Sequence, residues 1–167
     1  MSERLYPPIL RASFATLPRG VREAHESAVL MRGTVTVERS DSIMNRIAGV
    51  FAGFPAVCVN APCEVRFELF GESERRTRNM NGSIYVSTLK PADEPHCFDE
   101  SFGRYAFHFR VHGSEKGAHF ELTKHTLRGV PVPRMLWPRI ETLENEADGA
   151  YTFLAEARTF TGALLVR

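Results

Sequence analysis

Between Tyr105 and Leu127 the chain alternates apolar and polar residues on both sides of a short turn, Gly113-Ser-Glu-Lys-Gly117. In the first arm Tyr105, Phe107, Phe109 and Val111 fall on one face, and Ala106, His108, Arg110 and His112 on the other. In the second arm Ala118, Phe120 and Leu122 alternate with His119, Glu121 and Thr123. Side chains of a strand alternate with period two, so the segment specifies an antiparallel hairpin with one buried face. Pairing Gly113 with Ala118 sets His112 opposite His119, Arg110 opposite Glu121 and Phe109 opposite Leu122. A slip of one residue breaks both faces, so the register is constrained.

The same alternation runs through most of the chain. Gly33 to Arg39 predicts a first strand, and from Cys63 onward the reading is almost entirely β. Asn81-Gly82 and Asp148-Gly149 mark hairpin turns. Residues 90 to 103, with Pro91, Pro95 and Gly103, read as a loop. Gly129-Val-Pro-Val-Pro133 reads as a stiff extended crossing, because proline cannot donate to a central ladder. Residues 1 to 18 read as an irregular lead-in with one helical turn near Ile9 to Phe14, and Pro18 opens a helix through His25. Ile43, Met44, Ile47, Val50, Phe51 and Phe54 share one face of an amphipathic helix over residues 41 to 53. The expected fold is α+β, residues 1–167 forming a single domain. In it a curved, largely antiparallel sheet of about eight strands grips that helix. The alternative is a closed β-barrel with the helix plugging one end.

Twenty-one basic and twenty acidic residues leave a net charge of +1, which argues against a nucleic-acid partner. Within Arg75-Arg76-Thr77-Arg78 the strand period sends the arginines to both faces. Three cysteines without CxxC spacing fit reduced thiols and a cytoplasmic location. No stretch is long and apolar enough for a membrane span, so no membrane partner is expected.

No catalytic, nucleotide or metal motif occurs, and the expectation is no cofactor, no metal and no assigned catalytic residue. His112 and His119 sit side by side, but no spacing fixes a third ligand, and a solvated face is the plainer reading. His108 and His125 fall together on the polar face. Trp137 packs under the proline-rich connection or caps an entrance. An acid–base enzyme would draw on His25, Arg78, Glu100 or Glu141, which no spacing brings together.

Arg78-Asn-Met-Asn-Gly82, Tyr85-Val-Ser87, Glu100-Ser-Phe-Gly103 and Leu127-Arg-Gly-Val-Pro-Val-Pro133 carry a resemblance, joined by Pro138, Asp148-Gly149, Phe153 and Gly162 to Val166. The chain resembles an uncharacterised bacterial domain family, found alone or fused behind saccharopine-dehydrogenase-like oxidoreductases. It departs from the family at Met80, where an aromatic is usual, and near Phe160, where a proline is. The resemblance implies a relative without an activity, and an oxidoreductase as one candidate docking partner. The leading expectation is a noncatalytic domain that binds a small apolar or amphipathic molecule. Phe67, Tyr105, Phe107, Phe109 and Phe153 would form the walls, with Arg78, Tyr85 and Glu100 as polar anchors.

Overall fold

The computed structural model describes residues 4–27, 29–40, 55–159 and 161–167. Eleven strands are described: β1 (Leu30–Val37), β2 (Cys58–Phe70), β3 (Ser73–Met80), β4 (Ser83–Pro91), β5 (Cys97–Phe102), β6 (Tyr105–Ser114), β7 (Gly117–Leu127), β8 (Val130–Pro131), β9 (Arg139–Ala147), β10 (Ala150–Arg158) and β11 (Leu164–Val166). They form one antiparallel sheet in the order β1-β2-β3-β4-β5-β6-β7-β9-β10-β11, with β8 a two-residue spur on β7. Glu38 and Arg167, just beyond β1 and β11, exchange both backbone hydrogen bonds, at 2.8 and 3.0 Å. The first and last strands therefore meet, and the sheet is a nearly closed barrel. Closure removes the exposed edges that a long meander would otherwise present.

The expectation of about eight strands undercounts. The loop predicted over residues 90 to 103 contains β5, which lies between β4 and β6. Its inner face reads Phe98, Glu100, Phe102, and the central glutamate hides the apolar alternation. The proline-rich connection is extended as expected and pairs on one side only, with β7. The main hairpin keeps the predicted register at Phe109–Leu122, Arg110–Glu121, His112–His119 and Gly113–Ala118. It then departs from it. Thr123 is an extra residue, because His108 pairs with Lys124 while Phe109 pairs with Leu122. Its hydroxyl donates to the His108 carbonyl at 3.0 Å, which pins the bulge. The inserted residue reverses the alternation, so His125 pairs with Phe107 on the inner face and is not beside His108.

The lead-in is not irregular. Helix α1 (Tyr6–Leu10), a 3-10 turn (Arg11–Thr16) and helix α2 (Arg19–Glu26) run almost continuously. Pro7 and Pro8 lie in the first turn of α1, where no N–H is required. Pro18 precedes α2 as predicted. Tyr6, Ile9, Leu10, Phe14, Leu17 and Val21 pack against Leu89, Phe98, Phe109, Val111, Ala118 and Phe120 from the inner face of the sheet. Burying each large apolar side chain contributes about 1.5–3 kcal/mol. Approach is close at two glycines. A Cβ at Gly113 would stand 3.3 Å from Leu17 Cδ2 and from the Ser13 carbonyl. One at Gly117, where φ is +117°, would stand 2.0 Å from the Glu144 carbonyl oxygen. The expected helix over 41 to 53, and with it the grip or plug it would make, lies outside the described residues. Among those described, the N-terminal helices fill the barrel.

Burial falls along β3, β4, β5 and β6 from the plugged end. On β3 the inner residues Glu74 and Arg76 are buried and Arg78 is half-buried. On β4 Leu89 and Ser87 give way to half-buried Tyr85, and on β5 Phe98 gives way to half-buried Glu100 and Phe102. On β6 Val111 and Phe109 give way to half-buried Phe107 and Tyr105. One end of the inner face is sealed; the other is only partly covered.

Candidate functional site

At the sealed end the helices and the sheet enclose ionisable groups that pair with one another, though Arg76 Nη2 has no hydrogen-bond partner among the described residues. His25 Nε2 lies 2.6 Å from Glu144 Oε2, and the Tyr6 hydroxyl donates to Glu144 Oε1 at 3.1 Å. Arg76 donates through Nε to Glu74 Oε1 at 2.7 Å and places Nη1 3.7 Å from Glu144 Oε1. The Tyr6 ring stacks on His25 with centroids 3.6 Å apart, and the Arg76 guanidinium lies 5.3 Å from the Tyr6 ring. Burial pushes the Glu144 carboxyl up, but His25, Arg76 and the Tyr6 hydroxyl outweigh it and hold it below the usual carboxylate range. Burial, then the Glu144 charge, raises the Tyr6 and Tyr151 hydroxyls well above their ordinary value. Glu144 is fully buried and His25 is 1% exposed, so the cluster has no surface at which to meet a substrate.

The partly covered end is built differently. Cross-strand pairing puts Val65, Arg78 and Tyr85 on one inner row, and Glu100, Phe107 and His125 on another. Arg78 donates to Ser87 Oγ at 2.8 Å and sits 3.6 Å from Glu100 Oε1. Tyr105 stacks on Phe107, and Phe107 stacks on His125 with centroids 4.7 Å apart. Tyr85 stacks on Phe102 at 5.8 Å, and burial raises its hydroxyl above the ordinary value. His125 is only 8% exposed, yet neither ring nitrogen has a hydrogen-bond partner among the described residues. Buried Thr142 Oγ1, also on the inner face, has none either. Burial lowers the His125 pKa, which keeps the ring neutral, with one nitrogen donating and one accepting.

All eight residues expected to form a ligand site share the inner face. Phe67 and Phe109, each 4% exposed, belong to the sealed packing. Arg78, Tyr85, Glu100, Tyr105 and Phe107 are half-buried at the other end, and Phe153 is 44% exposed. Of the four acid–base candidates, Arg78 and Glu100 come together, His25 is sealed in, and Glu141 is on the exposed outer face. The partner of His25 is Glu144, one inner position that sequence reasoning missed. Trp137 Nε1–H donates to the Val132 carbonyl at 2.7 Å, so the indole packs under the proline-rich connection.

His112 and His119 face each other with ring centroids 6.3 Å apart, and His112 turns to Glu121 at 3.3 Å. A different set has metal-ligand spacing. The ligating atoms of Glu94, Cys97 and His108 all lie within 4.8 Å of one another on the outer face.

Residues 7–165 match the family described as a domain of unknown function, DUF4166, and the chain belongs to that family. No curated protein and no solved structure matches it.

Proposed function

We propose that this DUF4166 domain binds a small, uncharged amphipathic molecule at the partly covered end of its barrel. The observation that carries the reading is His125: a neutral, buried imidazole, stacked on an aromatic wall, whose two nitrogens have no hydrogen-bond partner among the described residues. Buried polar groups in folded proteins are nearly always satisfied, and an unsatisfied one costs about 1–3 kcal/mol. A hydroxyl, carbonyl or amide of a bound molecule would supply the missing partner. Arg78 and Glu100 already neutralise each other, so the site offers polarity without a free charge. Tyr105 and Phe107 give the apolar body a surface, and apolar walls with a few placed polar groups are the usual make-up of such sites.

N-phenyl-1-naphthylamine, a neutral amphipathic fluorophore, tests the reading. Its emission should brighten and saturate at one equivalent per chain, and Phe107→Ala should weaken binding. A signal that rises without saturating, or that Phe107→Ala leaves untouched, contradicts it.

A further inference from the structure

On the outer face of the barrel the connection after β4 folds back across β5, β6 and β7. It walls a groove of about 450 Å3 lined by Asp93, Glu94, Asp99, His108, Lys124 and Thr126 among others. His108 is 7% exposed and Cys97 1%, although both side chains leave the sheet on its outer side. The His108 ring is held between two carboxylates. Its Nδ1 is hydrogen-bonded to Asp99 Oδ1 at 2.6 Å. Its Nε2 lies 2.6 Å from Glu94 Oε2, close enough to interact but off the direction of a well-aligned N–H bond.

In a neutral ring whose proton is on Nδ1 and donated to Asp99, Nε2 carries a lone pair that can ligate a metal. A lone pair and a carboxylate oxygen at that separation repel unless a positive charge lies between them. A ring N–H pointing off that line would serve Glu94 poorly, whereas a cation between the two atoms can take both as ligands. Two donor atoms side by side, with a buried thiol sulfur completing the group, is the arrangement of ligands around a cation. Lys124 Nζ holds the other Glu94 oxygen at 2.8 Å, which leaves Oε2 for the cation. An aspartate behind a ligating imidazole is the usual outer support of a histidine ligand.

We infer that Glu94, Cys97 and His108 form a zinc site, with Asp99 orienting His108. Sulfur, imidazole and carboxylate together suit Zn2+ better than Mg2+ or Ca2+, which take oxygen ligands. Three protein ligands leave a fourth position open toward the groove.

The test uses the whole chain with Zn2+, and with Co2+ as a spectroscopic stand-in. Zn2+ should bind at one equivalent per chain in competition with a chromophoric chelator. Co2+ should give a thiolate charge-transfer band that Cys97→Ser abolishes. Glu94 is exposed, so Glu94→Gln reads ligation without disturbing the core. It should weaken Zn2+ binding, and Asp99→Asn should do so by about 10–100-fold. His112→Ala and His119→Ala should leave binding unchanged. Absence of stoichiometric metal would overturn the assignment, as would a Co2+ spectrum indifferent to Cys97→Ser. Because this groove is on the opposite face from His125, neither result bears on the inner site.

Discussion

Two buried histidines inside one barrel, one on helix α2 and one on the sheet's inner face, meet opposite fates. His25 is locked to Glu144 and stacked on Tyr6, while His125 is stacked on Phe107 with no partner at either nitrogen among the described residues. The contrast separates a polar group that holds the fold from one held ready. Around His25 a second carboxylate, Glu74, and the Arg76 guanidinium extend the pairing, and the N-terminal helices cover it. Such a cluster is costly to break but does little for net stability relative to an apolar core, since desolvation offsets much of its attraction. Around His125 the desolvation is not matched by hydrogen bonds from the described residues.

The largest effect expected from this contrast is at Glu144. Glu144→Ala strands His25 and the Tyr6 hydroxyl and leaves Arg76 paired with Glu74, and should destabilise the chain by about 3–5 kcal/mol. Urea unfolding measures it, and a loss under about 1 kcal/mol would mean that the cluster tolerates an unpaired charge.

The matching change at the other end should do little. His125→Leu removes an unsatisfied polar group and keeps the stacking surface, so stability should move by no more than about 1 kcal/mol and can rise. His25→Leu leaves Glu144 without its nearest partner and should cost several times more. Equal losses at the two positions would erase the distinction.

Smaller still is the dependence on pH. The folded-state pKa of His125 lies below the ordinary 6.5, so below that value the unfolded chain binds a proton that the folded chain refuses. Stability contributed by neutral His125 is therefore present above pH 6.5 and lost as pH falls below it. His125→Leu should flatten the wild-type slope on the acid side of pH 6.5, and a slope unaltered by that change would show that the ring is solvated. Glu144 acts later. Its contribution is intact above the ordinary carboxylate value of 4.5 and disappears as pH falls through its lowered folded value.

How far the sequence disclosed this is visible in the same residues. The hairpin's register from Phe109–Leu122 to Gly113–Ala118 follows from alternation alone. The bulge at Thr123 does not, because nothing in Leu122-Thr-Lys-His125 distinguishes a bulged strand from a regular one. That one residue moves His125 from the outer face to the inner. Glu144 was hidden for a related reason. The inner row of β9 is Ile140, Thr142, Glu144, Glu146, a polar face by composition that became interior because Tyr6, His25 and Arg76 meet it there. Cys97 and His108 were legible as residues, not as neighbours, since β5 read as loop and its pairing with β6 brings them together.

The central claim is that the partly covered inner face receives a ligand, and adjacent residues on β10 test it most directly. Ala155 pairs with Thr142 on the inner face, whereas Leu154 pairs with Leu143 on the outer. Both are exposed, so either accepts a larger side chain without disturbing the core. N-phenyl-1-naphthylamine titrations of Ala155→Trp and Leu154→Trp should differ. The inner substitution should weaken binding at least about tenfold, about 1.4 kcal/mol, and the outer should leave it at the wild-type value. Equal affinity in both variants, or a loss confined to Leu154→Trp, would contradict the account.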